Sequence, residues 1–257
     1  MPDLFPTLRL AGLTSPSARL ELVIDRPVAS GSFDGAVAEL VRKFAAPGGV
    51  GAYAARGSSA DQSRLAVTGA PKPVLNGLNF ELEAARVDPT AFQILRNMLA
   101  TLNLAGAGVT SVLVREMRQG IPAPVELPVA DEDNEDEVYP GLPEDLSYLW
   151  DFEDSGSIKF RRIVVEARGS LTPEQVLLFQ ERVQSWMVLL QEGGFCLPVG
   201  PPDEAVCSSG SVSQLEDVSV EIAMTVFLAS EAAWNVLFNL LDAVSRTQVP
   251  LSKVTIA

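Results

Sequence analysis

Residues 80–114 read FELEAARVDPTAFQILRNMLATLNLAGAGVTSVLV, and residues 222–256 read IAMTVFLASEAAWNVLFNLLDAVSRTQVPLSKVTI. A shift of 142 positions lays Phe80–Val114 on Ile222–Ile256 without a gap over 35 residues. Ala91, Leu95, Asn97 and Leu99 meet Ala233, Leu237, Asn239 and Leu241, while Phe92, Ile94 and Met98 meet Trp234, Val236 and Leu240. The agreement is in pattern more than in identity: alternating strand, helix cap, amphipathic helix, turn and strand stay in register. Such self-similarity is the mark of a doubled unit.

The flanking sequence is read on the same plan. Arg19–Asp25 has strand character, and Ser32 stands before a helix with Val37, Leu40, Val41 and Phe44 at helical spacing. Gly48-Gly49 ends that helix, Val50–Ala54 is an apolar strand candidate, and Arg56–Lys72 reads as a long loop. Asp88-Pro89 opens the next helix: the carboxylate can accept an orphan backbone N–H, and proline there sacrifices no hydrogen bond. In the second half Lys159–Arg168 is a strand, and Thr172-Pro-Glu-Gln175 is a capping box before a helix carrying Phe179, Val183, Trp186, Met187 and Leu190. Phe195–Val199 is a strand candidate, Pro201–Gln214 a loop, Val218–Phe227 a strand, and Ser230 the cap of the helix through Leu241. Met1–Ser17 reads as an irregular arm.

Each half therefore runs strand, helix, strand, strand, helix, strand. This α+β order resembles the ferredoxin-like βαββαβ plan, which implies mostly antiparallel sheets with helices on one face. The expected organisation is a pseudo-dimer: residues 1–118 as the first half, 119–157 as an acidic, Pro-rich linker, and 158–257 as the second half. A single larger sheet shared by both halves is the alternative.

The chain has 257 residues, a net charge of −14 and no histidine. Histidine is the commonest general base near neutral pH and the commonest metal ligand, so its absence excludes Ser-His-Asp and Cys-His sites within the chain. Cys196 and Cys207 fit neither a disulfide framework nor a zinc site, and whether they pair stays open. No cofactor is expected. No stretch of about 18 apolar residues is free of charge, and Met1–Gly12 lacks a secretory signal's basic start and apolar run. The expectation is a cytoplasmic protein without membrane contact.

The charge is concentrated. Residues 119–158 hold 12 of the 33 acidic residues and no Lys or Arg, so the rest of the chain is nearly neutral. Such a surface repels nucleic-acid phosphates and speeds encounter with basic proteins. Its plainest reading is a solvated linker. The joint also carries aromatics, however, and the candidate partner-binding residues are Tyr139, Asp145, Tyr148, Trp150, Asp151, Phe152 and Glu153, with aromatic anchors and a charged rim. Asp131–Glu137 could attract calcium or magnesium but lacks the glycine and spacing of a calcium loop. Trp186 and Trp234 read as core, the Ser208–Ser211 stretch as loop. Arg42, Lys43, Arg56, Arg64 and Lys72 give the first half some positive charge.

The resulting expectation is a non-catalytic protein-binding module, monomeric or homodimeric. Its most concrete form is an immunity or antitoxin-type inhibitor of a basic toxin or nuclease. The alternatives are a small-molecule sensor with its ligand between the halves, and a carboxylate-dependent enzyme using Asp145, Asp151 and Glu153.

Overall fold

The structure, a computed structural model, describes residues 4–11, 13, 15–26, 33–55, 57–118, 121–122, 145–152, 160–195, 209–225 and 231–257. The chain is α+β, with two mixed sheets and four helices among these residues. The first sheet contains β1 (Thr7–Ala11), β2 (Ser17–Asp25), β3 (Arg64–Val67), β4 (Lys72–Val74), β5 (Gly77–Ala85), β6 (Ser111–Arg118) and β7 (Ile121–Pro122). Its main path is β1-β6-β2-β5-β3, with β4 on β5 and β7 on β6. Helices α1 (Asp34–Gly48) and α2 (Phe92–Leu104) belong to this half. The second sheet contains β8 (Leu149–Phe152), β9 (Phe160–Ala167), β10 (Ser209–Glu216), β11 (Ser219–Thr225) and β12 (Leu251–Ile256), ordered β10-β11-β9-β12-β8. With it come α3 (Pro173–Gln191) and α4 (Glu231–Thr247).

The sheets are mixed where mostly antiparallel ones were expected. In each, one edge strand runs parallel to its neighbour: β1 beside β6, and β8 beside β12. Both parallel strands arise from stretches with weak local signals. β1 lies in the expected arm, and β8 lies inside the acidic joint. The registers keep the shift of the repeat, since Thr7 pairs with Ser111 and Leu149 with Lys253, each 142 positions on.

Alternation decides which face is buried. In the first sheet Leu20 faces Leu82, Leu22 faces Phe80 and Ile24 faces Leu78, all buried, while Arg19, Glu21, Glu81 and Glu83 share the other face. In the second, Ile163 lies between Ile222 and Ile256, and Val165 between Val220 and Val254. Each buried aliphatic side chain contributes about 1.5–3 kcal/mol. The outer face of the first sheet is tied instead by Arg115–Glu21 and Lys72–Glu81 ion pairs.

Helix starts follow the cap chemistry. Asp88 Oδ1 accepts the Thr90 N–H at 2.9 Å. Thr172 and Gln175 form the reciprocal capping box. Ser32 and Ser230, and the strand candidate beyond Phe195, lie outside the described residues.

Three expectations fail, two of them because residue type alone does not reveal pairing at a sheet edge. Arg56–Lys72 is not all loop, because Arg64–Val67 pairs with β5. Pro201–Gln214 is not all loop, because serine-rich β10 begins at Ser209 against β11. Val50–Ala54 is a turn rather than a strand. Tyr53 is buried there and its hydroxyl donates to Phe44 O at 2.8 Å, so this apolar run tucks under α1.

One hydrophobic cluster spans both halves. α1 packs on α3, and Lys43 pairs with Glu192 across the boundary. Asn97 Nδ2 of α2 donates to Gly194 O in the turn after α3, at 3.1 Å. Two glycines permit the approach. A Cβ on Gly194 would lie 2.7 Å from Ile94 Cγ2, and one on Gly51 (φ 95°) would lie 2.8 Å from Ala243 Cβ. The helix layers thus meet, each with its sheet behind it. No helix among the described residues is long and apolar enough to cross a membrane.

Candidate functional site

Two places merit attention: the aromatic end of the acidic joint and a cleft between the halves. The first is built by α4. Asp242, fully buried, lies on a face of α4 that it shares with Phe238, Asn239, Ser245 and Arg246. Its Oδ1 accepts the Ser147 N–H at 2.8 Å, and its Oδ2 accepts Arg246 Nε at 2.8 Å. Arg246 in turn donates to the Asp145 carbonyl. The hydrogen bond to Asp242 holds the Arg246 guanidinium above its ordinary pKa. Tyr148 is buried, and its hydroxyl donates to Phe238 O at 3.0 Å. Burial pushes this phenol's pKa up, and the Asp242 charge adds to the effect.

Clamped at this point, the chain continues as β8. Trp150 stands opposite Val254 and Phe152 opposite Ile256, on the helix-bearing side of the sheet. The Trp150 ring lies 5.4 Å from the Phe238 ring, and the Arg161 guanidinium lies 5.6 Å from the Phe152 ring. Both aromatics remain 48% exposed, and Leu149 on the other face is 74% exposed. Asp151 sits 3.5 Å from Lys253. Among the described residues no strand lies on the outer side of β8.

The structure therefore brings Asp145, Tyr148, Trp150, Asp151 and Phe152 together on α4 and β12. Tyr148 is spent on anchoring the chain to itself, whereas Trp150 and Phe152 offer surface. Tyr139 and Glu153 lie outside the described residues, as do Asp131–Glu137, Cys196 and Cys207. No group of three or more potential metal ligands occurs among the described residues.

The cleft, of about 410 Å³, is lined from the first half by Gly49, Val50, Asp61–Arg64 and Ala85, and from α4 by Ala243, Val244, Thr247 and the following Gln248. Its polar wall is the run Gln62-Ser63-Arg64. Gln62 Oε1 accepts from Arg86, the one non-glycine residue with positive φ (48°) among those described. Ser63 is buried, and its hydroxyl has no partner among the described residues. Asp61 accepts from Ser59 and lies in the field of Arg246.

Sequence reasoning missed Asp242, Arg246 and the cleft. One signal was within reach: the same shift, carried back, lays Leu4–Ala11 on Leu146–Glu153, with Leu8 and Leu10 meeting Trp150 and Phe152. The cleft left none, because its walls come from distant segments.

No protein-family model matches the chain, and no curated protein matches it. Among solved structures, one described as a "putative glycine cleavage system transcriptional repressor" is 12% identical, over 95% of this chain and 99% of its own, with a TM-score of 0.21. The ferredoxin protease FusC, in a mutant form complexed with Arabidopsis ferredoxin, is 12% identical over 93% of this chain, with a TM-score of 0.21. This chain spans 34% of that protein's length. At such identities and scores neither likeness carries an argument about fold or function.

Proposed function

We propose that this protein is a non-catalytic protein-binding module of the immunity or antitoxin type, acting in the cytoplasm by stoichiometric contact with a basic partner. Its scaffold, in this reading, is two tandem ferredoxin-like halves, 1–118 and 158–257, joined by the acidic stretch 119–157. The matching strand order of the two sheets and the constant 142-residue register support the duplication. The observation that carries the function is the half-exposed pair Trp150 and Phe152 on an edge strand embedded in the chain's most acidic region. Aromatics dominate interface hot spots, and surrounding charge of one sign accelerates encounter with a partner of the other.

The test uses Trp150→Ala/Phe152→Ala. A basic protein captured from the native cell by the wild type should be lost by this variant. With that protein purified, the association rate should fall steeply as salt rises. Capture indifferent to both substitutions, or an association rate indifferent to ionic strength, defeats the reading.

A second reading, a small-molecule sensor, is favoured by the interfacial cleft. A volume of about 410 Å³ falls within the usual range for ligand sites, and ligands favour such junctions. The carboxylate-dependent enzyme has no comparable observation behind it.

A further inference from the structure

The second reading leaves the ligand's chemistry open, and the inference here rests on that reading. The wall of the cleft is rich in donors. Gln62 uses its carbonyl oxygen on Arg86, so its amide N–H groups are what it has left to give. The Ser63 hydroxyl is buried without a partner among the described residues, a cost that an oxygen within its reach would relieve. Arg64 is exposed, and among the described residues its guanidinium makes no hydrogen bond or ion pair. Three consecutive residues thus present unspent donors, the last of them cationic. On the opposite wall the Thr247 hydroxyl is already spent on Ala243 O at 2.7 Å, and Gln248 adds a neutral amide. Asp61, the lining's carboxylate, already faces the Ser59 hydroxyl and the Arg246 charge.

We propose that the cleft between the halves binds a small molecule bearing a carboxylate or phosphate, with Arg64 taking the anionic group and Ser63 and Gln62 donating to its oxygens. Guanidinium suits this task because its fork matches either oxyanion in two parallel hydrogen bonds. The rest of the ligand would lie on Val50, Ala85 and Val244. Because Gly49, Val50 and Arg64 stand on one half and Val244 and Thr247 on the other, occupancy would tie the halves together.

The experiment is thermal unfolding at constant ionic strength with four probes: inorganic phosphate, succinate, putrescine and glycerol. The two anions should raise the melting temperature saturably, because a ligand of the folded state must stabilise it. Arg64→Ala, an exposed substitution that disturbs no described contact, should weaken the apparent affinity by about tenfold or more. Ser63→Ala should weaken it less. An anion effect unchanged by Arg64→Ala overturns the inference. A rise confined to putrescine or glycerol also overturns it, but leaves the sensor reading standing. No response to any probe overturns the inference and removes the sensor reading's chemical support.

Discussion

The edge strands β1 and β8 hold the same place in their sheets, in the same register, yet they are secured and finished differently. α2 holds the segment leading into β1: Arg96 Nε donates to Pro6 O at 2.9 Å, Asn103 Nδ2 donates to Leu4 O at 2.9 Å, and Arg96 covers the Phe5 ring. α4 holds the segment leading into β8 through a buried carboxylate, Asp242, and a buried phenol, Tyr148. β1 then presents Leu8 and Leu10, packed partly against the core, whereas β8 presents Trp150 and Phe152, half in solvent. Arg9 of β1 corresponds to Asp151 of β8. The first sheet closes this edge with aliphatics, and the second carries an aromatic, acidic one. Two edges in matching register thus differ in how much apolar surface they leave in solvent.

The sharpest break in this comparison is Asp242→Ala. The residue 142 positions earlier is Ala100, so no equivalent loss exists beside β1. Removing a buried carboxylate that serves both Ser147 and Arg246 should cost about 3 kcal/mol in urea unfolding. Hydrogen exchange should then rise in residues 147–152 while β1 stays protected. Equal protection of both edges would show that α4's clamp is not what holds β8.

Next in size is Gly51→Ala. The added Cβ meets Ala243 across the boundary and Ala60 O within its own half, at a positive φ that disfavours alanine. The expected loss is about 2 kcal/mol. Gly194→Ala, whose Cβ would meet Ile94 Cγ2 and the Leu189 carbonyl oxygen but without a positive φ, should cost somewhat less, about 1–2 kcal/mol.

The buried asparagines matched by the repeat should part company. Asn97 bonds Gly194 O, so Asn97→Leu strands a carbonyl and should cost about 1–2 kcal/mol. Both polar side-chain atoms of Asn239 lack partners among the described residues, so Asn239→Leu should be neutral or stabilising by up to about 1 kcal/mol. Chemical denaturation of both variants decides this. Comparable losses at the two positions would mean that Asn239 has a partner too.

Tyr148→Phe should cost about 1 kcal/mol near neutral pH, by loss of the bond to Phe238 O. The phenol's pKa is raised in the folded state by burial and by Asp242. Its contribution is therefore intact below the unfolded value of about 10 and lost as pH rises beyond that. Stability against pH should accordingly fall less steeply above about pH 10 in the variant than in the wild type. Parallel alkaline profiles would count against a raised Tyr148.

Much of the architecture was legible. Asp88-Pro89 and Thr172–Gln175 marked helix starts because capping is a local exchange between a side chain and its own backbone. Phe80, Leu82 and Leu95 marked buried faces because periodicity follows from the geometry of one element. β3, β10 and β8 were hidden because each is an edge strand, short or polar, whose stability comes from the neighbour it pairs with. The candidate site was half legible. Trp150 and Phe152 stood out as aromatics in an acidic stretch, but that Tyr148 would be consumed by α4 was not visible in either segment alone.

The amino-acid sequence by itself determined the internal similarity at a 142-residue shift, the helix caps, the buried faces and the concentration of negative charge, since each depends on residues within a few positions or on a comparison of the chain with itself. Tertiary structure alone decided the parallel edge strands, the Asp242 clamp and the cleft beside Arg64. Those depend on which distant segments come together, and only the packed helices and paired strands set that.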